Sequence, residues 1–259
     1  MIGAAGRRMV WCTASVSQIR ATKPASPALA ARRPWSTVAA STDPGNEAAA
    51  RRARYDRLEA WRQERSLDWI LTAHHADDQA ETLLMRLNRG AGVGGLSGVR
   101  AVNGRVLRPL LGWRRTELEG VLGGGGIEAV ADPSNEDERF DRARLRRQLG
   151  ETGWIVPAAV ARSARALAEA EAALDWAADR LAAERAAGSA AAARIEMEGV
   201  PAELRRRLLR LILRRIAPDA DPRGDELSRL IATLERGGTA TLAGVKCHAE
   251  GSEWRVEPA

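Results

Sequence analysis

Four side chains that could exchange protons or hold a cation lie within eight consecutive residues. His74, Asp78 and Glu81 are spaced i, i+4 and i+7, and Asp77 lies three positions after His74. A helix that starts directly after Thr72 would carry all four on one face. Such carboxylates suit Mg²⁺ or an ammonium group, and a histidine exchanges protons near neutral pH. A structural interpretation also stays open, because the helix dipole favours acidic residues in a first turn.

The segments around this cluster predict the elements that must position it. Residues 67–72 form a short apolar run, which is typical of a buried parallel strand. One helix is predicted from the cap residue Asn46 to about Arg65, and another from Asp77 to Asn88. Helix, strand and helix in succession indicate a doubly wound α/β sheet. In such sheets, ligands bind at the carboxyl ends of the strands.

The rest of the chain predicts helices that end in a short β segment. The last twenty residues indicate a β-hairpin whose turn is Glu250-Gly251-Ser252. The glycine runs 92–98 and 123–126 predict flexible connections. We expect helices that start near Thr116 and Phe140, that span residues 157–187 and 225–235, and that open at Pro201.

Composition limits the classes of protein to which the chain can belong. Its 45% apolar and 29% charged residues are typical of a soluble globular protein, and no apolar run is long enough for a membrane span. Two cysteines, Cys12 and Cys247, are too few for a disulfide framework or a cysteine zinc site. So few cysteines suit a reducing compartment, so we expect a cytoplasmic protein.

The formal net charge of +6 comes from one end of the chain. Residues 1–42 contain six basic and no acidic side chains, and the remainder is balanced. A nucleic-acid partner therefore has to be inferred from local groups of arginine. Candidate contacts with a nucleic-acid backbone are Arg142 and Arg146, after Phe140, and Arg206 and Arg210, after Pro201; a solvated face explains the same arginines equally well.

Several motifs occur in an order that resembles one known family. Residues 73–82 read Ala-His-His-Ala-Asp-Asp-Gln-Ala-Glu-Thr, and Leu-Met-Arg-Leu-x-Arg-Gly and Gly-x-x-Gly-Leu-x-Gly follow. Together they resemble the central block of the tRNA(Ile)-lysidine synthetases, of the PP-loop ATPase superfamily. Further similar segments are Ala49-Ala50-Arg51-Arg52-Ala53-Arg54-Tyr55, Arg108-Pro109-Leu110-Leu111, Asp132-Pro133-Ser134-Asn135-x-Asp137-x-x-Phe140-x-Arg142-x-x-x-Arg146 and Thr241-Leu242-Ala243-Gly244-Val245.

The resemblance implies a ligase that uses ATP and Mg²⁺. Members of the family adenylate the C2 oxygen of the wobble cytidine in tRNA(Ile) with a CAU anticodon, and the ε-amine of free lysine then displaces AMP. By match of motif, His74 and Asp78 belong to the catalytic site, and Asp77 and Asp78 to a Mg²⁺ site. Glu81 is expected to bind lysine, and Arg54 to contact the nucleotide or another substrate. In this family context, the four arginines named above are expected to contact the tRNA backbone, and a homodimer is also expected.

The patterns along the chain and the resemblance together predict a fold and four segments. We expect a truncated Rossmann-like parallel sheet of the PP-loop type, followed by a small, mostly helical domain with a C-terminal β-hairpin. The expected segments are an unpatterned and disordered basic leader (1–42), a partial nucleotide-binding domain (43–110), a helical connection (111–187) and a small substrate-binding domain (188–259).

One family motif has no counterpart in the sequence. The family carries a Ser-Gly-Gly-x-Asp-Ser loop whose backbone amides hold the pyrophosphate of ATP, and these 259 residues contain no such loop. Three functional hypotheses follow: a lysidine synthetase, inactive if the loop is lost; a noncatalytic tRNA-binding remnant; and another PP-loop tRNA-modifying enzyme. The last is disfavoured because catalytic cysteines of a thiolase are missing.

Overall fold

The chain divides into two compact units, residues 1–168 and residues 169–259. The limits predicted at residues 42, 110 and 187 stay predictions. The structure is a computed structural model that describes residues 9–12, 47–127, 141–189, 191–222 and 224–259.

A four-stranded sheet forms the centre of the first unit. Its strands are β1 (Met9–Cys12), β2 (Trp69–Thr72), β3 (Val102–Asn103) and β4 (Val106–Leu107). They follow the order β1-β2-β4-β3; β1, β2 and β4 are parallel, and β3 runs antiparallel to β4. The predicted α/β class with a parallel sheet is confirmed. Strand β1 lies within residues 1–42, where the sequence shows no strand period and predicted none.

Helix α1 (Glu47–Glu64) contributes apolar side chains to the core of this sheet. Leu58 is buried and clusters with Ile70 of β2 and Val106 of β4, and the partly buried Tyr55 packs against the same cluster. Tyr55 and Leu58 lie three positions apart, so they share one face of the helix. The helix predicted for this segment is confirmed.

Helix α2 (Ala76–Leu87) begins two residues after His74, whereas a helix face shared with His74 would require a helix that includes it. His75 is its N-cap residue and has an extended backbone, with φ −127° and ψ −177°. The backbone N–H of His75 donates to the Asp78 carboxylate at 3.0 Å, which satisfies one of the donors at the helix start. The prediction that His74 shares a helix face with Asp78 and Glu81 is therefore wrong, because His74 precedes the cap.

The glycine run 92–98 is anchored by two buried or half-buried side chains of α2. The Arg86 guanidinium donates to two carbonyl oxygens of this run, at 2.7 and 2.9 Å. The Gln79 side chain donates to the Val99 carbonyl at 2.7 Å and accepts from the Val99 N–H at 2.6 Å. The prediction of a flexible connection is therefore wrong for this run, since two hydrogen bonds fix its backbone and two more fix the residue that follows it.

The remaining helices of the first unit confirm the predicted helical segments. The turn predicted at Asp132–Asn135 lies outside the described residues. Among the helices of the described ranges, none has the length and apolar character needed to cross a bilayer. The helices are α3 (Val93–Leu96), α4 (Arg115–Gly124), α5 (Asp141–Thr152) and α6 (Pro157–Arg185), the last of which continues into the second unit.

The second unit combines an antiparallel sheet with two helices. The sheet follows the order β5-β6-β9-β8-β7, where consecutive neighbours are antiparallel. The predicted C-terminal hairpin is confirmed as β8 and β9, but the sequence did not predict the other three strands. The elements are β5 (Ala186–Gly188), β6 (Ala193–Glu196), α7 (Ala202–Ile216), α8 (Gly224–Glu235), β7 (Thr239–Leu242), β8 (Val245–Glu250) and β9 (Glu253–Pro258).

The core of the second unit lies between one sheet face and helices α7 and α8. Alternation along β9 puts Trp254 and Val256 in the core and leaves Arg255 more exposed. Leu208 and Leu227, from the two helices, are fully buried in the same cluster. This apolar contact explains why α7, although it carries six arginines, is a stable helix.

Candidate active site

A cavity of about 640 Å³ opens at the carboxyl end of β2. This is the position where open α/β sheets bind ligands. Its wall combines the start of α2, the start of α4, the end of α5 and the segment that leads into α6. The lining residues that carry charge or a titratable ring are His75, Asp77, Asp78, Glu81, Arg114, Arg115 and Arg146.

His74, the predicted catalytic histidine, is buried beside this cavity and does not line it. Its Nδ1 lies 2.9 Å from the Thr72 hydroxyl. Burial lowers the pKa of His74 to about 4; Asp78 acts in the opposite direction, and nearby arginines, with Arg108 first, lower it further. The imidazole is therefore neutral at pH 7, in the form that accepts a proton but is only weakly basic.

His75 lines the cavity between the two aspartates. Its Nδ1 lies 3.6 Å from Asp77 Oδ2, and its Nε2 lies 3.6 Å from Asp78 Oδ2. Both separations exceed hydrogen-bond distance, and the buried Nδ1 has no hydrogen-bond partner. Of the two adjacent histidines, His75 is thus the one placed to meet a ligand in the cavity.

Asp77 is engaged by the start of α4. It accepts a hydrogen bond from the Arg115 N–H at 2.8 Å, and the Arg114 Nη2 lies 3.2 Å from its Oδ1. Burial raises the pKa of Asp77, but these hydrogen bonds outweigh burial, so the net pKa is lowered. A carboxylate held by a guanidinium in this way does not fit the predicted role of a Mg²⁺ ligand.

The metal prediction gains no support from other side chains. Within the described ranges, no group of three or more His, Cys, Asp or Glu side chains is placed to hold a metal ion. Asp78 uses one oxygen to accept from the His75 N–H. Its other oxygen accepts no hydrogen bond from a described residue.

Glu81, the predicted lysine ligand, is 3% exposed and pairs with two arginines of α5. Arg146 donates to it from Nε at 2.7 Å and from Nη2 at 3.0 Å. Arg142 Nε lies 3.4 Å from the same carboxylate. The hydrogen bonds that Arg146 donates to Glu81 raise the pKa of Arg146. The structure thus brings together Glu81 and two arginines that were predicted to contact tRNA.

The other predicted arginines lie apart from the cavity. Arg54 of α1 is half-buried and does not line it. Arg206 and Arg210 belong to α7 in the second unit; Arg206 pairs with Glu203 at 2.7 Å, and Arg210 is half-buried. Their predicted contacts with nucleotide or tRNA stay predictions.

Comparison with known proteins agrees with this geometry. A protein-family model described as a PP-loop domain matches residues 23–152, which is half of the chain and includes every charged residue of the cavity. The chain belongs to the PP-loop domain family. The match begins at residue 23, within the segment 1–42 that was expected to be a leader.

Relatives of this PP-loop chain carry one common name. A tRNA(Ile)-lysidine synthase of Novosphingobium aromaticivorans is 45% identical over 217 residues, and one of Zymomonas mobilis is 37% identical over 219 residues. A third, from Leifsonia xyli, is 35% identical over 216 residues. The predicted resemblance is confirmed. The alignments cover 81%, 82% and 78% of this chain but 66%, 66% and 64% of the relatives, so the chain spans slightly less than two thirds of their length.

The sequence did not single out several residues that shape this PP-loop site. Arg114 and Arg115 follow the apolar Leu-Leu-Gly-Trp segment, and no spacing connects them with Asp77, 37 and 38 positions earlier. Arg108 was quoted only as part of a motif, although it is 5% exposed. The available signal was its place directly after β4, at the edge of the sheet that binds ligands.

Proposed function

We propose that this chain has the ligase activity of a tRNA(Ile)-lysidine synthase, with ATP, free lysine and tRNA(Ile) with a CAU anticodon as substrates. The observation that carries the proposal is the buried Glu81 carboxylate at the edge of a PP-loop sheet. A carboxylate in a cavity is the group expected to hold the ammonium of a lysine side chain. The names of the relatives support the same reaction.

The proposed reaction has two steps. The C2 oxygen of the wobble cytidine first attacks the α-phosphate of ATP, so that an O–P bond forms and pyrophosphate leaves. The lysine ε-amine then attacks C2, and the C–O bond to AMP breaks. The ammonium must lose a proton before this attack, because only the neutral amine is a nucleophile.

Glu81, His74 and Arg54 each have a proposed role in this scheme. Glu81 would exchange part of its contact with Arg146 for the lysine ammonium. His74 is neutral at pH 7 and can accept a hydrogen bond or a proton, and Asp78, which raises the pKa of His74, lines the cavity. Arg54 would contact the nucleotide or another substrate, as the family motif implies.

Mg²⁺ enters the proposal as the usual counter-ion of nucleoside triphosphates. Of the two predicted ligands, Asp78 fits better, because the Arg114 guanidinium neutralises Asp77. Contacts of Arg142, Arg146, Arg206 and Arg210 with the tRNA backbone, a homodimer and a cytoplasmic location are further parts of the proposal.

Incorporation of labelled lysine into a tRNA(Ile) transcript with a CAU anticodon tests the activity directly. We expect ATP-dependent incorporation by the purified chain and an apparent lysine affinity at least tenfold weaker for Glu81→Ala. Glu119→Ala, on the exposed surface of α4, is the matched control. Unchanged lysine affinity in a folded Glu81→Ala variant would remove the role of Glu81.

The second candidate function is a tRNA-binding protein without catalysis, which would bind the transcript but would not use ATP. The same preparation separates the two. Retention of the transcript on the chain, together with no incorporation and no ATP binding at millimolar ATP, would support the noncatalytic alternative.

A further inference from the structure

Two tryptophans are exposed at the mouth of the cavity. Trp113 is 46% exposed and directly precedes Arg114, which lines the cavity. Trp154 is 76% exposed and lies between Gly153 and Ile155, which both line it. Neither tryptophan belongs to the lining itself, so each lies at the rim. We refer to Trp113 and Trp154 as the rim tryptophans.

The backbone of Trp113 is fixed beside the candidate site. Its carbonyl oxygen accepts from the N–H of Ala76, the first residue of α2, at 2.8 Å. Its own N–H donates to the Leu110 carbonyl at 2.9 Å. The two arginines that follow it both contact the Asp77 carboxylate. Trp113 therefore belongs to a segment that is attached to the start of α2, where the charged wall of the cavity begins.

Trp154 precedes an apolar part of the cavity wall. The three residues after it, 155–157, all line the cavity, and Val156 among them is 52% exposed. The Trp154 N–H donates to the Thr152 carbonyl at 2.8 Å, across Gly153, which has a φ of +66°. A three-residue turn of this kind needs a central residue with positive φ, which glycine adopts readily. The turn thus presents Trp154 at the edge of an apolar surface.

The exposure of two tryptophans at one cavity points to a flat ligand. A single exposed apolar side chain is ordinary, but indole rings contribute most when another surface covers them. The cavity, of about 640 Å³, has the size of a site for a small molecule or a base. Unpaired bases of RNA stack on aromatic side chains. The charged lining beside the rim disfavours a second protein copy, because the centres of protein interfaces are depleted of charged residues.

We propose that Trp113 and Trp154 stack on unpaired bases of an RNA loop, on either side of the base that enters the cavity. An enzyme that reacts with a base takes it out of the stack of its neighbours, which costs free energy. Stacking of the neighbouring bases on the rim tryptophans offsets this cost and holds the loop at the cavity. The identity of the loop and the entry of one base rest on the proposed function, whereas the stacking of unpaired bases does not.

Binding of a labelled RNA stem-loop, measured by fluorescence anisotropy at fixed salt, tests the stacking. The loop carries the CAU anticodon, and a second stem-loop has abasic nucleotides on both sides of the wobble position. We expect Trp113→Ala/Trp154→Ala to bind the intact loop roughly tenfold more weakly than the unaltered chain, and the abasic loop equally well. Trp113→Phe/Trp154→Phe keeps two aromatic faces and should recover most of the affinity. Trp176→Ala, at a 64% exposed position of α6, is the matched control.

Three results would overturn the proposal. The first is an equal affinity of Trp113→Ala/Trp154→Ala and Trp176→Ala for the intact loop, and the second is an equal loss with the intact and the abasic loops. The third is a dimer in sedimentation experiments that Trp113→Ala/Trp154→Ala dissociates while RNA affinity is unchanged, which would assign the rim to a second copy.

The stacking proposal and the proposed function fail separately. A chain that loses affinity only for the loop with intact bases, but incorporates no lysine, supports stacking and contradicts the ligase activity. A chain that incorporates lysine, and whose rim variants bind the intact loop normally, contradicts stacking alone.

Discussion

Glu81 and Arg146 form a bidentate ion pair at the wall of the cavity. Arg146 donates from Nε at 2.7 Å and from Nη2 at 3.0 Å to a carboxylate that is 3% exposed. The two residues lie 65 positions apart, so the pair connects α2 with α5. Because it is buried and geometrically well formed, removal of one partner leaves the other charged group without sufficient compensation.

Arg146→Met should lower the free energy of unfolding by about 3 kcal/mol, because Glu81 keeps only the longer contact with Arg142. Urea denaturation followed by circular dichroism measures the loss. The double variant Glu81→Gln/Arg146→Met should recover part of it. Arg147→Met, which alters an exposed pair with Glu151, should cost less than about 1 kcal/mol. Equal losses in Arg146→Met and Arg147→Met would contradict the assigned difference.

Gly98→Ala should destabilise the first unit by about 2 kcal/mol. Gly98 has a φ of +67°, and an added Cβ would lie 2.3 Å from the Gln79 Oε1, which accepts from the Val99 N–H. Gly104→Ala is the control, since its φ of +55° carries similar strain but nothing lies within 4 Å of the added atom. A thermal midpoint of Gly98→Ala no lower than that of Gly104→Ala would exclude the steric part of this prediction.

The buried His74 predicts a pH dependence of stability. Its pKa is about 4 in the folded chain and near 6.5 when solvated. Between these values the unfolded state binds a proton that the folded state does not, so the free energy of unfolding falls as the pH is lowered from 6.5 to 4. Above pH 6.5, the neutral buried His74 therefore keeps about 3 kcal/mol of unfolding free energy that is lost below pH 4. His74→Gln should show a shallower decline in urea midpoints over this range, and an identical decline would contradict the assignment.

Substitution of Arg207 should destabilise the second unit. It is 6% exposed and pairs with Glu171, Asp175 and Glu203, at distances between 2.5 and 3.0 Å. Arg207→Met leaves these carboxylates near one another, and should lower the free energy of unfolding by about 3 kcal/mol. Arg214→Met, at an exposed pair of the same helix, should change it by less than about 1 kcal/mol. Chemical denaturation of both variants provides the comparison.

Cys247 should be inert towards thiol reagents in the folded chain. It is fully buried in the core of the second unit, and burial raises the pKa of its thiol to about 12. In a Cys12→Ser background, we expect labelling only when the second unit unfolds. Rapid modification by iodoacetamide under native conditions would show that this core is accessible.

Local sequence patterns determined much of the fold. The apolar run that ends at Thr72 predicted β2, and the periodic segments predicted most of the helices, because hydrophobic periodicity is set by the geometry of a single element. The hairpin turn at residues 250–252 was predicted from its own residues, because turn formation also depends on local sequence. Several ordered motifs, with residues 73–82 among them, also identified the family, since the order of motifs is a property of the sequence itself.

Only the tertiary structure decided which side chains meet. The capping hydrogen bond between His75 and Asp78 starts α2 late, so that His74 is buried and His75 lines the cavity. The pairing of Glu81 with Arg146 and the contact of Arg108 with Tyr55 depend on how α5, α1 and the strands of the sheet pack together. Such contacts join residues that are tens of positions apart in the sequence. The hydrophobic periodicity of a single helix or strand does not tell which distant residues will meet.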